Sequence, residues 1–188
     1  MNAPTNPKEL ELQTVEFKLD GKTIVSYEGE TILKAAKRHG IDIPHLCFKD
    51  GYRPDGNCRA CVVEINGERT LAPSCCRTAT AGMEVKANSE RALKSQKLVL
   101  EMLLSDMPDE GFKWVGDSKD AEQKQQHGEL STWAARMDVT VRPELKALRR
   151  EKVSNDLSHP AMAVNLDACI QCNRCVRACR EEQVNDVI

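Results

Sequence analysis

The chain opens on strict alternation. Val15, Phe17 and Leu19 are separated by polar residues, Asp20-Gly21 is a hairpin turn dipeptide, and residues 23–27 return as a second strand. After Glu28-Gly29 the period changes to a helical one. Thr31 can cap a short helix whose apolar positions Ile32, Leu33, Ala35 and Ala36 make one buried face, with Gly40 where a helix stop belongs. Residues 41–44 lead into a cysteine-bearing loop. Residues 61–65 form a β-branched strand turning at Asn66-Gly67, and residues 83–86 supply a last strand. Hairpin, helix, cysteine loop and strands is the order of a β-grasp unit, so the expected fold class is α+β.

A second helix is expected to start at Asn88 or Ser89, where Ser89 can accept from orphan backbone N–H groups. It runs through Leu93, Leu98, Val99, Met102 and Leu103 and ends before Pro108. From residue 109 to 152 the composition turns polar, with Gly111, Gly116 and a Lys/Gln/Glu-rich run at residues 119–126. A helical patch over residues 130–137 interrupts it. This region reads as connector and not as core. Trp114 and Trp133 are expected to anchor it onto a neighbouring surface, and the basic run at residues 142–152, which contains Glu144 and Glu151, to be a solvated helix face. The expected organisation is a tail (1–12), the β-grasp domain (13–87), a helix and polar connector (88–160) and a C-terminal cysteine segment (161–188).

Composition narrows the function. With 27 Lys and Arg against 29 Asp and Glu, and a formal net charge of -2, the 188 residues offer no electrostatic footprint for nucleic acid. No stretch approaches the ~20 consecutive apolar residues of a membrane helix, and the first residues have no basic-then-apolar leader pattern. A cytoplasmic, membrane-free protein is expected. Only 4% of residues are aromatic, which argues against one large core, and nine are cysteine. Five of these fall between residues 47 and 76, four between 169 and 179, and none from 77 to 168. An odd number of thiols in two clusters points to two metal sites and away from a disulfide framework.

In the first cluster the run is Cys47-x10-Cys58-x2-Cys61-x13-Cys75. Two thiolates three residues apart can face one metal centre from one loop, while the outer two close the cage. The wide first gap and single Cys-x2-Cys knuckle fit a [2Fe-2S] cluster better than zinc, which prefers two compact ligand pairs. Gly51, Gly56 and Asn57 lie between the ligands, where backbone N–H groups must approach sulfur. His45 could line this site without ligating. His39, His127 and His159 have no other ligand at metal spacing and are read as surface or capping residues.

The segment HLCFKDGYRPDGNCRACVVEINGERTLAPSCC resembles the N-terminal [2Fe-2S] domain of three kinds of subunit. These are the large iron-sulfur subunit of respiratory complex I, the diaphorase small subunit of NAD-linked hydrogenases, and the large subunit of NAD-dependent molybdenum or tungsten formate dehydrogenases. The resemblance implies a β-grasp fold with Cys47, Cys58, Cys61 and Cys75 as ligands. Cys76 then stands spare, as a small hydrophobe or exposed thiol. Complex I and hydrogenase subunits usually continue with a His-x3-Cys-x2-Cys-x5-Cys motif, which the cysteine-free stretch from residue 77 to 168 cannot supply.

The second run, Cys169-x2-Cys172-x2-Cys175-x3-Cys179, has bacterial [4Fe-4S] ferredoxin spacing, with Arg180 in place of the usual proline. Three cysteines at successive three-residue steps reach three corners of a cube. The fourth ligand of such a run serves the other cluster in two-cluster ferredoxins, so Cys179 either points to a second cluster or folds back to its own. The chain is thus expected to be a fragment, holding only the start of a bacterial-type module. Residues 158–188, SHPAMAVNLDACIQCNRCVRACREEQVNDVI, resemble the corresponding stretch of the formate dehydrogenase large subunit, and LVLEMLLSDMP its preceding helix. That resemblance implies a bis-pterin molybdenum or tungsten site downstream, in the same polypeptide or complex, and a diaphorase-type partner subunit carrying FMN and NAD.

The reading that follows is an iron-sulfur electron relay inside an NAD-dependent formate dehydrogenase, an oxidoreductase of which this segment carries electrons and no catalytic residues. Two alternatives stand beside it: the electron-transfer subunit of an NAD-linked hydrogenase or complex I-like enzyme, and a redox- or iron-sensing scaffold.

Overall fold

In a computed structural model of the chain, residues 13–108 and 128–185 are described. Gly111, Trp114, Gly116, His127 and the polar run at 119–126 lie outside them.

Strands β1 (Thr14–Leu19) and β2 (Lys22–Tyr27) pair antiparallel from Thr14↔Tyr27 to Leu19↔Lys22. Asp20 and Gly21 both take positive φ, 50° and 82°, as a tight hairpin whose twist matches the strands requires. Helix α1 (Ile32–Arg38) follows, with the Thr31 side chain accepting from Lys34 N–H and Ile32, Leu33, Ala35 and Ala36 buried. Then come β3 (Val62–Ile65), β4 (Ala72–Pro73) and β5 (Glu84–Lys86). The sheet order is β2-β1-β5-β3-β4, with β1 and β5 parallel at the centre and the other pairs antiparallel. Hairpin, helix, cysteine loop and later strands follow the order expected from the sequence, and the parallel pairing of β1 with β5 is added by the structure.

The core between sheet and α1 contains Phe17, Leu19, Ile24, Ile32, Leu33, Phe48, Val63 and Val85, and Cys61 and Cys75 belong to it. Each such side chain contributes ~1.5–3 kcal/mol on burial, so the cysteine loop is seated on the most stable part of the molecule. The first two N–H groups of α1, on Ile32 and Leu33, donate to the carbonyls of Arg77 and Ser74 at 2.9 and 3.0 Å. Orphan donors of a helix start thereby fix the segment that carries Cys75.

Helix α2 (Glu90–Ser105) is capped by Ser89, whose side chain accepts from Ala92 N–H. Its inward face differs from the expected one. Ala92, Gln96, Leu100, Glu101 and Ser105 are buried, while Leu98 and Met102 are 43% and 55% exposed. Gln96 makes this possible, because its Nε2 donates to the carbonyls of Val62 and Ala87 at 2.8 and 3.1 Å, removing the cost of burying an amide.

Helix α3 (Glu129–Arg136) revises the connector reading. Leu130 and Ala134 are buried, and Leu130 joins Leu46, Ala60 and Leu100 in a second core cluster. Trp133 packs there as expected, 6.0 Å from the His45 ring, with Arg136 4.6 Å over its own face. The basic run is largely exposed, as expected, but it is more than a solvated helix face. Only α4 (Pro143–Lys146) is helical, and the arginines are ties: Arg142 donates to Glu101, Arg149 to Asp167, and Arg150 to the carbonyls of Asp167 and Cys169. A short exposed hairpin, β6 (Asp156–His159) and β7 (Met162–Val164), leads to a 3-10 turn at Leu166–Ala168. Helix α5 (Arg174–Arg177) continues into a π turn at Ala178–Glu182. Among the described residues, no helix is long and apolar enough to cross a membrane.

Candidate iron-sulfur centre

The loop between α1 and β3 brings four thiols together. Cys47, Cys61 and Cys75 are at most 1% exposed, and Cys58 is half-buried. Cys58 interacts with Cys47, Cys47 with Cys75, and Cys75 with Cys61, a chain of neighbours spanning all four. Backbone donors converge on the same sulfurs: Cys58 N–H on Cys47 Sγ at 3.5 Å and Cys47 N–H on Cys58 Sγ at 3.4 Å.

This packing splits the acidities. Hydrogen bonds from the thiols of Cys58 and Cys75 hold the Cys47 thiol at about 2, against the opposing effect of burial and with help from the N–H groups of Cys58 and Asn57. Donation from Cys75 lowers Cys61 to about 7. Cys58 is pushed up by its bond to Cys47 and by burial, and Cys75 by its bonds to Cys47 and Cys61. The site thus favours thiolate among thiols, the state that binds metal.

Four sulfur donors, two per iron, are what a [2Fe-2S] core takes, and soft thiolates in a dry pocket suit it. Among the described residues, no three His, Cys, Asp or Glu side chains close around a single ion position.

The residues between the candidate ligands have distinct places. Asn57 N–H supports Cys47, and Asn57 Nδ2 donates to the Gln171 carbonyl at 3.0 Å. Gly56 has φ +64°, and a Cβ there would meet Cys76 Sγ at 2.9 Å. Gly51, at φ +94°, lies in the turn closed by Tyr52 N–H to the Lys49 carbonyl. Cys76 is exposed, its Sγ 3.5 Å from that of Cys75. His45 packs on Phe48 and Trp133 and bonds the Ile43 carbonyl; His39 ends α1 and contacts the Val25 carbonyl; His159 accepts from Ala161 N–H in the β6–β7 turn.

In the second run, Cys169 and Cys172 are half-buried and Cys175 exposed, while Cys179 is buried with its thiol donating to the Asn185 carbonyl at 2.6 Å. A shared device shapes both runs. Arg59, Gln171 and Asn173 take φ of 60°, 54° and 59° inside the three Cys-x2-Cys steps. The left-handed residue lets Ala60 N–H support Cys58, while Gln171 N–H reaches Cys169 Sγ at 3.4 Å. Sequence reasoning named Gly51, Gly56 and Asn57 for this role and missed these residues, whose only signal is their place between the cysteines. It also missed Arg174 and Arg177, which bond the carbonyls of Phe48, Cys47 and Arg53 across the two runs.

The chain is similar to known proteins. Residues 13–90 match the 2Fe-2S iron-sulfur cluster binding domain family. The chain is 38% identical over 179 residues to NADP-reducing hydrogenase subunit HndD of Solidesulfovibrio fructosivorans, covering 90% of this chain and 28% of that protein. It is 32% identical over 172 residues to the mitochondrial 78 kDa subunit of NADH-ubiquinone oxidoreductase of Candida albicans, covering 88% and 22%. Against the mitochondrial NADH dehydrogenase iron-sulfur protein 1 of Solanum tuberosum the identity is 30% over 177 residues, covering 94% and 22%. The chain therefore spans less than a third of these relatives' lengths. In a crystal structure of NAD+-reducing [NiFe]-hydrogenase in the H2-reduced state, one chain matches with a TM-score of 0.72 at 30% identity, covering 89% of this chain and 67% of that one. This chain belongs to the same iron-sulfur protein family as that hydrogenase chain, with a 2Fe-2S cluster binding domain at residues 13–90.

Proposed function

We propose that the protein is an electron relay of an NAD-linked oxidoreductase, with a [2Fe-2S] cluster held by Cys47, Cys58, Cys61 and Cys75 and a [4Fe-4S] cluster on the Cys169–Cys179 run. The observation that carries this is the buried four-thiol array with backbone N–H donors on its sulfurs. When bound, such clusters supply one-electron transfer. The chain's residues hold the thiolates, exclude water through Phe48 and Leu46, and aim N–H dipoles at sulfur, which stabilises the added negative charge of the reduced state. Burial of three of the four thiols supports a wire over a sensor, which needs a labile, accessible cluster.

The donor enzyme is read as NAD-dependent formate dehydrogenase, supported by the resemblance of residues 158–188 and by the cysteine-free stretch before them. Its pterin-metal site would lie in a domain beyond this segment, and a flavin- and NAD-bearing subunit would accept the electrons. The hydrogenase reading has its own support in the relatives that reduce NAD or NADP. Purification of the native complex without oxygen decides between them. EPR signals of the reduced clusters should appear on adding formate; their appearance with hydrogen and not formate selects the hydrogenase reading. Zinc in place of iron in the purified chain would refute both.

A further inference from the structure

Arg177 stands two residues from both Cys175 and Cys179, yet its guanidinium lies in the other cysteine loop. It is 6% exposed, with Nη2 donating to the Cys47 carbonyl and Nη1 to the Arg53 carbonyl at 2.6 Å, and Cζ is 5.8 Å from the centroid of the Tyr52 ring. Three other bonds cross the same gap, Arg174 Nη2 to the Phe48 carbonyl at 2.8 Å, Asn57 Nδ2 to the Gln171 carbonyl at 3.0 Å and the exposed ion pair of Arg53 Nη2 with Glu181 Oε1 at 3.4 Å. Three side chains from three positions thus join the segments by main-chain carbonyls, which have no rotamer freedom to lose.

A guanidinium buried to this degree carries a desolvation cost of several kcal/mol unless its charge and donors are answered. Carbonyls answer two of its donors, while Nε has no protein partner. The planar fork explains why arginine is used here, since two carbonyls six residues apart in the loop are held at once, which an ammonium on a flexible stem does not do. Its bonds join one candidate ligand run to the other, since Cys47 belongs to the first and Cys175 and Cys179 flank Arg177 in the second.

We propose that Arg177 is a positioning residue that docks the second cysteine run onto the first cysteine loop and so sets the separation of the two clusters. The separation part rests on the relay reading above; the docking part does not. Its guanidinium sits on the first cysteine loop, against the Cys47 and Arg53 carbonyls, so its positive charge also raises the potential of the [2Fe-2S] site.

The test uses the full chain in three forms, wild type, Arg177→Met and Arg177→Lys, with iron content measured in each. Hydrogen exchange over residues 166–179 reads docking, and spin–spin interaction between the two reduced clusters reads separation. In Arg177→Met, exchange there should rise about tenfold or more, the spin–spin interaction should weaken, and the [2Fe-2S] potential should fall. Arg177→Lys keeps the charge without the fork, so it should recover the potential but not the exchange protection. Wild-type exchange and spin–spin interaction in Arg177→Met would overturn the proposal. If that variant fails to fold, Arg177→Lys decides alone, wild-type exchange overturning the docking and faster exchange supporting it. Absence of cluster signals from the wild type would refute the relay reading and with it the separation role, and the exchange comparison would still decide the docking.

Discussion

Gly56 shows how closely single positions are specified around the thiols. Its φ of +64° is a left-handed value, and a Cβ would approach Cys76 Sγ to 2.9 Å. Gly56→Ala should therefore lose ~1–2 kcal/mol from the backbone alone and more from the clash. Adding Cys76→Ala should recover only the clash, so a double-mutant cycle by urea denaturation will show positive coupling; strict additivity would mean that Sγ moves aside freely. The neighbouring thiols should separate in the same way. Cys75, fully buried and in contact with Cys47 and Cys61, should lose the cluster on change to Ser, whereas the exposed Cys76 should tolerate it, as read from iron content and the reduced EPR signal. The type of residue at Gly56 was legible in the sequence because only glycine enters such a turn cheaply. The left-handed Arg59, Gln171 and Asn173 were not, since side chains of that kind give no sign of a positive φ, which at Arg59 and Gln171 accompanies N–H bonds to sulfur.

At the scale of elements, the hairpin and α1 were legible because period-2 and helical spacing were uninterrupted and their ends carried turn or cap residues. The face of α2 was not. Apolar Leu98 and Met102 point outward while Gln96 points in, since two sheet and loop carbonyls, Val62 and Ala87, offer it partners that no local pattern encodes. Gln96→Leu fills the volume yet orphans two buried carbonyls, so it should destabilise by ~1–3 kcal/mol in chemical denaturation. Glu101 makes the corresponding tie on the far side of α2. It accepts from Arg142 N–H, Nε and Nη2, and these bonds hold its carboxyl below the ordinary glutamate value. A lowered carboxyl favours the folded state above its unfolded pKa and loses that contribution as pH falls through the folded one. Hydrogen-exchange protection of residues 142–147 should thus be constant near neutrality and fall on acidification below the usual carboxylate range, and Glu101→Gln should abolish the pH dependence.

Across the whole molecule the two cysteine runs differ in what supports them. The first is built into the main core, with Cys61 and Cys75 packed beside Phe17, Leu33 and Val63, and Ser74 Oγ tied to the Cys61 carbonyl at 2.7 Å. The second is fastened by side-chain bonds from Arg150, Arg174, Arg177 and Asn57 and by Ile170 at the edge of the second core cluster. Those ties join distant parts of the chain, which is why spacing alone pointed to two cysteine runs and not to their attachment. An asymmetry in stability follows, because the free energy that shapes the first site comes from apolar burial, whereas the second borrows its shape from the surface of the first. Cys172→Ser should empty the second site while leaving the [2Fe-2S] EPR signal and the thermal transition of residues 13–108 unchanged. Cys61→Ser should empty the first site and also reduce iron retention in the second, because the carbonyls of Cys47 and Arg53 that receive Arg177 lie in the loop that carries the first candidate ligands. Iron and sulfide content of the two variants, measured side by side without oxygen, separates this hierarchy from two independent sites, for which each change would remove its own cluster alone.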